Sequence, residues 1–490
     1  MKIGFINLHK FTKSNLVKAT AATVLCSLLM ILACLIKYYI IGKPVSSGIW
    51  FCMLTLTIAT FVFMGGLLMY AMVSRNYIIA HTRYFVAFLS VVAITFIAHL
   101  YLSIISPLLI APALTALVII QLSRRKQDAF IFNLMEAMMV LLVLLLEAIM
   151  TDGEVYMLLG GGRNAYLWYL GAMSVINVGA GAVVPVMLRD KAKRINYLIV
   201  GGIVMVASVA VYALIILVHA NKLFLLQYFW LLFVSSVITV VLSLIISPVM
   251  ESAFNLVTES RLAEWTNSSQ PLLRKLALEA PGTYNHSLTV ANFAEMCASA
   301  IGEDPYLARA AAYYHDVGKL ANPSFFAENQ SGYNPHDEIL PEVSAEIIRN
   351  HTTDGYKLLK AYRLPEEIAR VAIEHQGTLP ITVFYERAKQ LTDSEVNVDD
   401  YRYHGETPTT KIAGIIMICD SSEAAIRAMD KPDGERVDKL LRSIINDRIT
   451  KGQFDKCKLS LHDLDIIRKT IINAFGGVFH QRVKYPEGKV

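Results

Sequence analysis

Apolar residues dominate the first half of the chain in long runs, whereas the second half intersperses apolar residues with polar ones. A helix that crosses a bilayer needs roughly 20 apolar residues. The stretch 84–122 is long enough for two spans, and Pro107 lies where a tight turn would separate them. The pattern therefore predicts eight membrane spans, near 16–41, 49–73, 84–104, 106–122, 129–150, 166–188, 197–219 and 226–249.

Beyond residue 270, apolar residues recur at spacings of three and four, which is typical of helices packed around a soluble core. The predicted helices are 287–301, 305–320, 341–350, 354–362, 365–375, 411–429 and 434–449. No set of alternating strands is evident. The predicted fold is all-α: a polytopic membrane domain over 1–249, an amphipathic helical linker over 250–282 and an all-helical domain over 283–490. The linker could transmit a signal or serve only as a connector.

Composition supports this division. Hydrophobic residues make up 55% of the chain and the mean hydropathy is +0.47, so the excess of apolar surface is expected to face lipid. Basic residues cluster in alternate loops, as in the run Arg124, Arg125 and Lys126, which predicts a cell-membrane protein with both termini in the cytoplasm. This topology also explains the net charge of +5 better than binding to a nucleic acid polymer. The cysteines show no CxxC spacing, so neither disulfides nor a thiolate zinc site is expected.

The predicted spans contain no row of acidic or basic residues, so a proton or ion pathway is not expected. His99 and His219 lie near the ends of predicted spans. We interpret them as side chains that reach the membrane interface rather than as sensors.

The most informative pair is His315 and Asp316, which follow an apolar helical run and offer two metal ligands at adjacent positions. A carboxylate such as Asp420, directly after the run 415–419, is costly to bury unless it is paired or bound to metal. Imidazole and carboxylate together suit Mn, Fe or Zn. The candidate ligands are His286, His315, Asp316, His351, His375 and Asp420.

Such a site would hold one or two divalent cations and acidify a bound water for attack on phosphorus. Asp316 has two carboxylate oxygens and could bridge two metals. Lys319 lies three residues further on, nearly on the same face, so its ammonium could reach a phosphate. The predicted catalytic residues are thus His315, Asp316 and Lys319.

At these residues the chain resembles the HD-domain phosphohydrolase superfamily. More closely, it resembles the membrane-bound HD family of cyclic di-AMP phosphodiesterases, the PgpH type. The resemblance rests on matched stretches in order at 279–287, 313–319, 328–330, 334–337, 375–378, 401–403 and 424–427. It implies an HD domain that hydrolyses a cyclic dinucleotide, cyclic di-AMP, to the linear product pApA. It also implies two divalent ions, Mn or Fe, one held by His286, His315, Asp316 and Asp420 and the other by Asp316, His351 and His375.

The chain departs from that family in three ways. Gln376 stands where a second consecutive histidine is usual, Ile412 stands where a glutamate is usual, and the turn near 42–48 replaces a large extracytoplasmic domain. A neutral amide is a poor metal ligand, although it can hydrogen-bond a phosphate. The predicted substrate contacts are Gln376, His336, Arg402 and Lys411.

Three alternatives remain open at this point. The substrate could be another nucleotide, such as cyclic di-GMP. The chain could be a receptor that binds the nucleotide without hydrolysis, which Gln376 suggests. A transporter is suggested by the spans alone. A homodimer is one candidate for the oligomeric state.

Overall fold

A computed structural model of the chain describes residues 13–40, 47–73, 82–123, 126–150, 163–188, 195–218, 230–430 and 432–478. Within these ranges the regular structure is helical, and the extended pairing is limited to one isolated bridge between Pro380 and Arg402. The predicted all-α class is confirmed. The chain divides into two compact units, Met1–Ser260 and Arg261–Val490, and the division falls inside the predicted linker.

The first unit, here called the membrane unit, consists of long apolar helices. Among the described residues, six helices are long and apolar enough to cross a membrane. Many of their apolar side chains point outward, as Val206 and Val186 do, which suits contact with lipid. The helices are α1 (Lys13–Ile40), α2 (Ser47–Val73), α3 (Thr82–Ile105), α4 (Leu114–Leu122), α5 (Lys126–Met150), α6 (Arg163–Met187), α7 (Ile195–Val218) and α8 (Trp230–Ala253).

The structure corrects the fourth predicted span, which is not a continuous helix. The turn at Pro107 is present: α3 ends at Ile105, and Pro107–Leu109 forms one turn of 3₁₀ helix. The chain becomes helical again only at α4, whose nine residues extend about 14 Å. That length is too short for a hydrocarbon core of roughly 30 Å. We call residues 106–122 the broken span.

The structure also corrects the prediction for His99. Its side chain does not reach an interface: it is fully buried and contacts Glu136 on α5. Glu136 was not predicted as a partner, because a single acidic residue inside an apolar run does not form the series of charged residues that marks an ion pathway. A second ion pair, Lys37 with Glu147, joins α1 to α5. His219 and most of the loop charges that predict the orientation, such as Arg124 and Arg125, lie outside the described residues.

The second unit, here called the soluble unit, is built from shorter amphipathic helices. The central helix, α11, packs against α12, α16 and α18 through side chains such as Phe293 and Cys297. The helices are α9 (Glu259–Trp265), α10 (Pro271–Glu279), α11 (Pro281–Ala300), α12 (Pro305–Tyr314), α13 (Pro341–Ala361), α14 (Glu366–Glu374), α15 (Thr382–Leu391), α16 (Lys411–Arg427), α17 (Gly434–Thr450) and α18 (Leu461–Val478).

Most predicted helices of the soluble unit are present, with two differences. The helix predicted over 305–320 ends at Tyr314, and a 3₁₀ turn over Val317–Ala321 follows it. The segments 341–350 and 354–362 are a single helix, α13, so His351 lies in its middle and not in a break. Gly355 does not interrupt the helix, because its lack of a side chain lets Ala372 and Gly318 pack closely against it.

Candidate metal centre

His315 and Asp316 lie where α12 gives way to a 3₁₀ turn. Asp304 caps the start of α12 by accepting hydrogen bonds from the backbone N–H groups of Tyr306 and Leu307. The helix ends at Tyr314, and the turn Val317–Ala321 follows Asp316. Both side chains of the pair are almost completely buried. The change of helix type directs them into the interior instead of along the surface of α12.

Three other helices and one helix end bring the remaining candidate ligands to this pair. His286 lies in the second turn of α11, whose first residue is a proline, and His351 lies in the middle of α13. His375 follows directly after α14, and Asp420 lies within α16. All are buried. The structure thus assembles six residues that are up to 134 positions apart in the chain.

The first group comprises His286, His315, Asp316 and Asp420, whose ligand atoms lie within 4.8 Å of one another. Nε2 of His286 is 2.9 Å from Oδ1 of Asp420 and 3.7 Å from Oδ2 of Asp316. Nε2 of His315 is 3.2 Å from the same Asp316 oxygen and 3.6 Å from Oδ1 of Asp420.

The second group comprises Asp316, His351 and His375. Oδ1 of Asp316 is 3.4 Å from Nε2 of each histidine, and the two Nε2 atoms are 3.2 Å apart. Asp316 therefore directs one carboxylate oxygen to each group. This is the arrangement expected of a carboxylate that bridges two cations.

Every histidine of the two groups directs Nε2 inward and engages Nδ1 with an acceptor behind it. Nδ1 of His315 is 2.7 Å from the carbonyl oxygen of Ala312, and Nδ1 of His351 is 2.5 Å from that of Ile348. His375 makes the equivalent contact at 3.0 Å, and Nδ1 of His286 contacts the Glu423 carboxylate. Such contacts place the proton on Nδ1 and leave a lone pair on Nε2, the form that binds a metal.

The donor set fits divalent cations. Nε2 of His315 and Oδ1 of Asp316 are buried without a hydrogen-bond partner, which is costly unless another group completes them. Two Nε2 lone pairs face each other between His351 and His375, where a cation would relieve the repulsion. Imidazole nitrogen and carboxylate oxygen are the ligands of Mn, Fe and Zn.

The histidines of the two groups differ in the pKa that their surroundings impose. Burial disfavours charge on His286, but hydrogen bonds to Asp420 and Glu423 outweigh burial and raise its pKa to about 9. Burial also opposes charge on His315, where the Asp316 carboxylate raises the pKa to about 10. Burial lowers the pKa of His351 to about 3, so that ring is neutral. A cation bound by the first group must compete with protons, whereas His351 is ready to ligate.

Lys319 contacts the carboxylate of Asp316. Its ammonium lies 2.8 Å from Oδ2 of Asp316 and 2.7 Å from Oε1 of Glu328, above the ring of Phe326. In a 3₁₀ turn, residues three apart lie one above the other, which explains the contact with Asp316. Burial opposes the lysine charge, yet the two carboxylates raise its pKa above the usual range. Lys319 is thus a permanent cation at the edge of the site.

A cavity of about 530 Å³ opens beside the first group. This volume falls in the range of small-molecule sites. Gln376 lies in its wall and donates a hydrogen bond from Nε2 to Oδ2 of Asp420 at 2.8 Å. The other lining residues are His286, Lys319, Ala327, Glu328, Asp420, Ser421, Glu423, Ala424, Arg427 and Ala428.

Three predicted substrate contacts do not line this cavity. His336 is buried between the rings of Phe325 and Phe384, with Nε2 2.9 Å from the carbonyl oxygen of Phe325. Its role in the structure is packing.

Arg402 and Lys411 also have partners elsewhere. Arg402 donates to Asp399 at 2.7 Å and to the carbonyl oxygen of Thr378. Lys411 pairs with Asp463 at 3.0 Å and with Glu303 at 3.7 Å. Positive charge made both residues candidates for phosphate binding. Arg402 pairs with a near neighbour in sequence, Asp399, whereas the acids that pair with Lys411 are distant in sequence.

The sequence analysis missed Glu423 and Arg427. Glu423 is buried beneath His286 and also contacts the Arg427 guanidinium, which lies in the cavity wall. A signal was available: Glu423 and Arg427 follow Asp420 at spacings of three and seven, which place all three on one face of a helix.

Residues 283–425 match the family profile described as HD domain. Cyclic-di-AMP phosphodiesterase PgpH of Listeria monocytogenes serotype 1/2a (strain 10403S) is 40% identical over 314 residues, covering 63% of this chain and 44% of that protein. Cyclic-di-AMP phosphodiesterase PgpH of Bacillus subtilis (strain 168) is 44% identical over 255 residues, covering 52% of this chain and 36% of that protein.

Among solved structures, the chain is similar to the crystal structure of the L. monocytogenes phosphodiesterase PgpH HD domain in complex with cyclic-di-AMP. The two sequences are 44% identical, and the match covers 44% of this chain and 100% of the solved chain, with a TM-score of 0.42. The chain spans less than half the length of the two curated relatives.

Proposed function

We propose that the chain is a membrane-bound HD-domain protein of the PgpH type and that it acts as a metal-dependent phosphodiesterase. The substrate we propose is cyclic di-AMP, hydrolysed to linear pApA. One observation carries the proposal: four histidines direct Nε2 toward the two oxygens of one buried carboxylate, Asp316.

The residues present suit two divalent ions, Mn or Fe, with Asp316 between them. When bound, such ions supply an acidified water and neutralise charge on a phosphate. The chain's own residues do the rest. Asp316 and Asp420 keep their pKa well below the usual range despite burial, because histidines and Lys319 surround them, so both remain anionic ligands.

Lys319 and Arg427 supply positive charge at the cavity wall, where the phosphates of a cyclic dinucleotide would bind. Lys319 is held by Asp316 and Glu328, which fixes its ammonium at the edge of the first group. Glu423 holds His286 from behind, so that Nε2 and not Nδ1 faces the ions.

Gln376 contacts the first group and not the second. Its amide donates to Asp420, and no hydrogen bond joins it to Asp316, His351 or His375 among the described residues. We therefore assign Gln376 to the substrate side of the site, where its amide can donate to a phosphate or a base.

The placement we propose is a bacterial cell membrane, with the soluble unit and both termini in the cytoplasm. Cyclic dinucleotides are cytoplasmic messengers in the family that the chain resembles, and the loop charges of the sequence favour this orientation. A homodimer remains a prediction from the sequence.

A substrate panel tests the proposal. Purified full-length protein in detergent would be loaded with Mn²⁺ or Fe²⁺ and given cyclic di-AMP or cyclic di-GMP, and products would be separated by chromatography. We expect pApA from cyclic di-AMP, and loss of product after chelation. Asp393→Asn, a change in an exposed loop carboxylate, is the matched control for Asp316→Asn. Metal-loaded protein that binds cyclic di-AMP without cleaving it would instead identify a receptor.

A further inference from the structure

The broken span carries backbone that is not helical, yet it is buried within the membrane unit. Ala113 adopts a left-handed conformation, with φ of 58°, which is strained for a residue with a side chain. Polar side chains from neighbouring helices satisfy this backbone. Asn177 accepts from the N–H of Ala113 at 2.8 Å, and Ser235 donates to the carbonyl of Ile110 at 2.8 Å. Non-helical backbone at membrane depth requires such partners.

His99 supplies another of these contacts in an unusual way. Its Nε2 lies 3.0 Å from the carbonyl oxygen of Ala111 in the broken span. Its Nδ1 lies 2.7 Å from Oε1 of Glu136 on α5. Both ring nitrogens therefore face oxygen atoms. His99 joins the broken span to α5.

This geometry fixes the number of protons. A carbonyl oxygen can only accept, so Nε2 of His99 must carry a hydrogen. The hydrogen on the other side lies between Nδ1 and Glu136, either as imidazolium with carboxylate or as neutral imidazole with carboxylic acid. In both cases the pair holds one proton more than neutral histidine with free carboxylate. Without that proton, a nitrogen lone pair faces a carboxylate or a carbonyl oxygen.

The pair lies in the interior of the membrane unit. His99 and Glu136 are both fully buried, and Oε2 of Glu136 has no hydrogen-bond partner among the described residues. An uncompensated carboxylate there would be costly.

Other charged groups on the helices packed against α3 and α5 contact other residues. Lys37 of α1 pairs with Glu147, and Asp128 accepts from Tyr70 of α2. On α8, Glu251 accepts from Thr258. On α6 the ionisable groups that are described and buried are the phenols of Tyr166 and Tyr169. Within the described part of the chain, no lysine or arginine forms an ion pair with Glu136.

We infer that His99 and Glu136 form a proton-binding site in the membrane unit, and that the bound proton holds the broken span against α3 and α5. Release of the proton leaves a nitrogen lone pair against either Ala111 or Glu136, and loss of either contact loosens the span. This inference does not depend on the proposed function of the soluble unit.

The test uses full-length protein and a probe confined to the membrane unit. Cys26 of α1 is a buried free cysteine, so its alkylation during heating, read by mass spectrometry, reports unfolding of that unit. Each rate is normalised to that of the unfolded chain at the same pH, because the thiolate is the reactive form. The variant Glu136→Gln mimics the protonated pair, because its amide donates to Nδ1 and leaves Nε2–H for Ala111. Glu147→Gln is the matched control, since Glu147 is paired with Lys37.

We expect the wild-type midpoint to fall by about 3 °C or more between about pH 6 and about pH 9, and Glu147→Gln to fall equally. Glu136→Gln should stay within about 1 °C over the same range. An equal fall in Glu136→Gln, a flat wild-type profile, or a midpoint that follows sodium concentration at constant pH would overturn the inference. Should Glu136→Gln not fold, the double variant His99→Gln, Glu136→Gln replaces it, because neither amide titrates and one of them can donate to Ala111.

Discussion

The backbone of Gly318 lies directly against the carbonyl group of His351. A β-carbon on Gly318 would be 1.9 Å from that carbonyl oxygen and 2.5 Å from the amide nitrogen of Gly355. This close approach sets the turn that carries Asp316 beside the helix that carries His351. The second group of metal-type ligands therefore requires a glycine two residues after Asp316, although that glycine contributes no ligand.

Gly318→Ala should accordingly disturb the second group. We expect a loss of about 2 kcal/mol in the free energy of unfolding, as for other overpacked interiors. Bound metal should also fall from two equivalents toward one, as measured by elemental mass spectrometry. The control is Gly434→Ala, since a β-carbon there meets nothing within 4 Å. Two retained equivalents in Gly318→Ala would show that the close approach is not needed.

Asp316→Asn should cause a larger loss of bound metal and of activity than any other single change. Each carboxylate oxygen serves one group, and an amide replaces one of these anionic oxygens with a donor. We expect bound metal and cleavage of cyclic di-AMP both to fall below detection, as followed by elemental analysis and chromatography. A variant that retains one metal equivalent and cleaves the substrate would refute the bridging role.

Glu423→Gln tests the support behind His286. Loss of the carboxylate should weaken the orientation of the ring and lower metal affinity in the first group by about 10-fold to 100-fold. A competition titration with a fluorescent chelator would measure that affinity. The second group does not contact Glu423, so one equivalent should keep its affinity. An equal loss of affinity for both metal equivalents would contradict the assignment of Glu423 to the first group.

Gln376→Ala separates a ligand from a substrate contact. Since Gln376 donates to Asp420 and lines the cavity, we expect metal stoichiometry to stay at the wild-type value. The KM for cyclic di-AMP should rise by about 10-fold, corresponding to one lost hydrogen bond of about 1.4 kcal/mol. Steady-state kinetics beside metal analysis would reveal the difference. Loss of the second equivalent would place Gln376 among the ligands.

Lys411→Met tests the reassignment of a predicted substrate contact. Hydrogen bonds from the backbone of Ser460 and from Lys411 lower the pKa of Asp463. Because the pKa of Asp463 is lower in the folded state, the contact adds stability at pH values above the unfolded-state pKa of about 4. This stability is lost as the pH falls through the folded-state pKa.

The pair is half-buried at the surface and partly screened by solvent, so Lys411→Met should cost only about 0.5 kcal/mol near neutral pH, and the difference should shrink below about pH 4. Urea unfolding of wild type and variant at several pH values would measure it. The kcat/KM for cyclic di-AMP should not change. A large rise in KM would return Lys411 to the substrate site.

The helices of the soluble unit could largely be predicted because their signals are local. Apolar spacing and capping residues such as Asp304 specify where a helix begins, and long apolar runs specify membrane helices. The predicted break at 351–353 was wrong, because α13 continues through it. Gly355, just beyond that break, would weaken the helix, but Ala372 packs against it and tertiary contacts compensate.

The candidate site likewise has features that could be predicted from the sequence and features that could not. Histidine and carboxylate identities, together with the resemblance of their neighbourhoods, were sufficient to select the six residues that the structure brings together. Spacing along the chain could not show that Lys411 is neutralised by Asp463, that His336 is enclosed by two phenylalanines, or that Glu423 supports His286. Those contacts join distant segments.

By itself the sequence determined which residue types are available and which stretches are helical or apolar, since these depend on neighbours within one or two turns. Only the tertiary structure decided which nitrogen of each histidine faces inward, which oxygen of Asp316 serves which group, and where the fourth span breaks. The physical reason is that buried polar groups take whatever partner the packing brings near them, and that partner is usually remote in the chain.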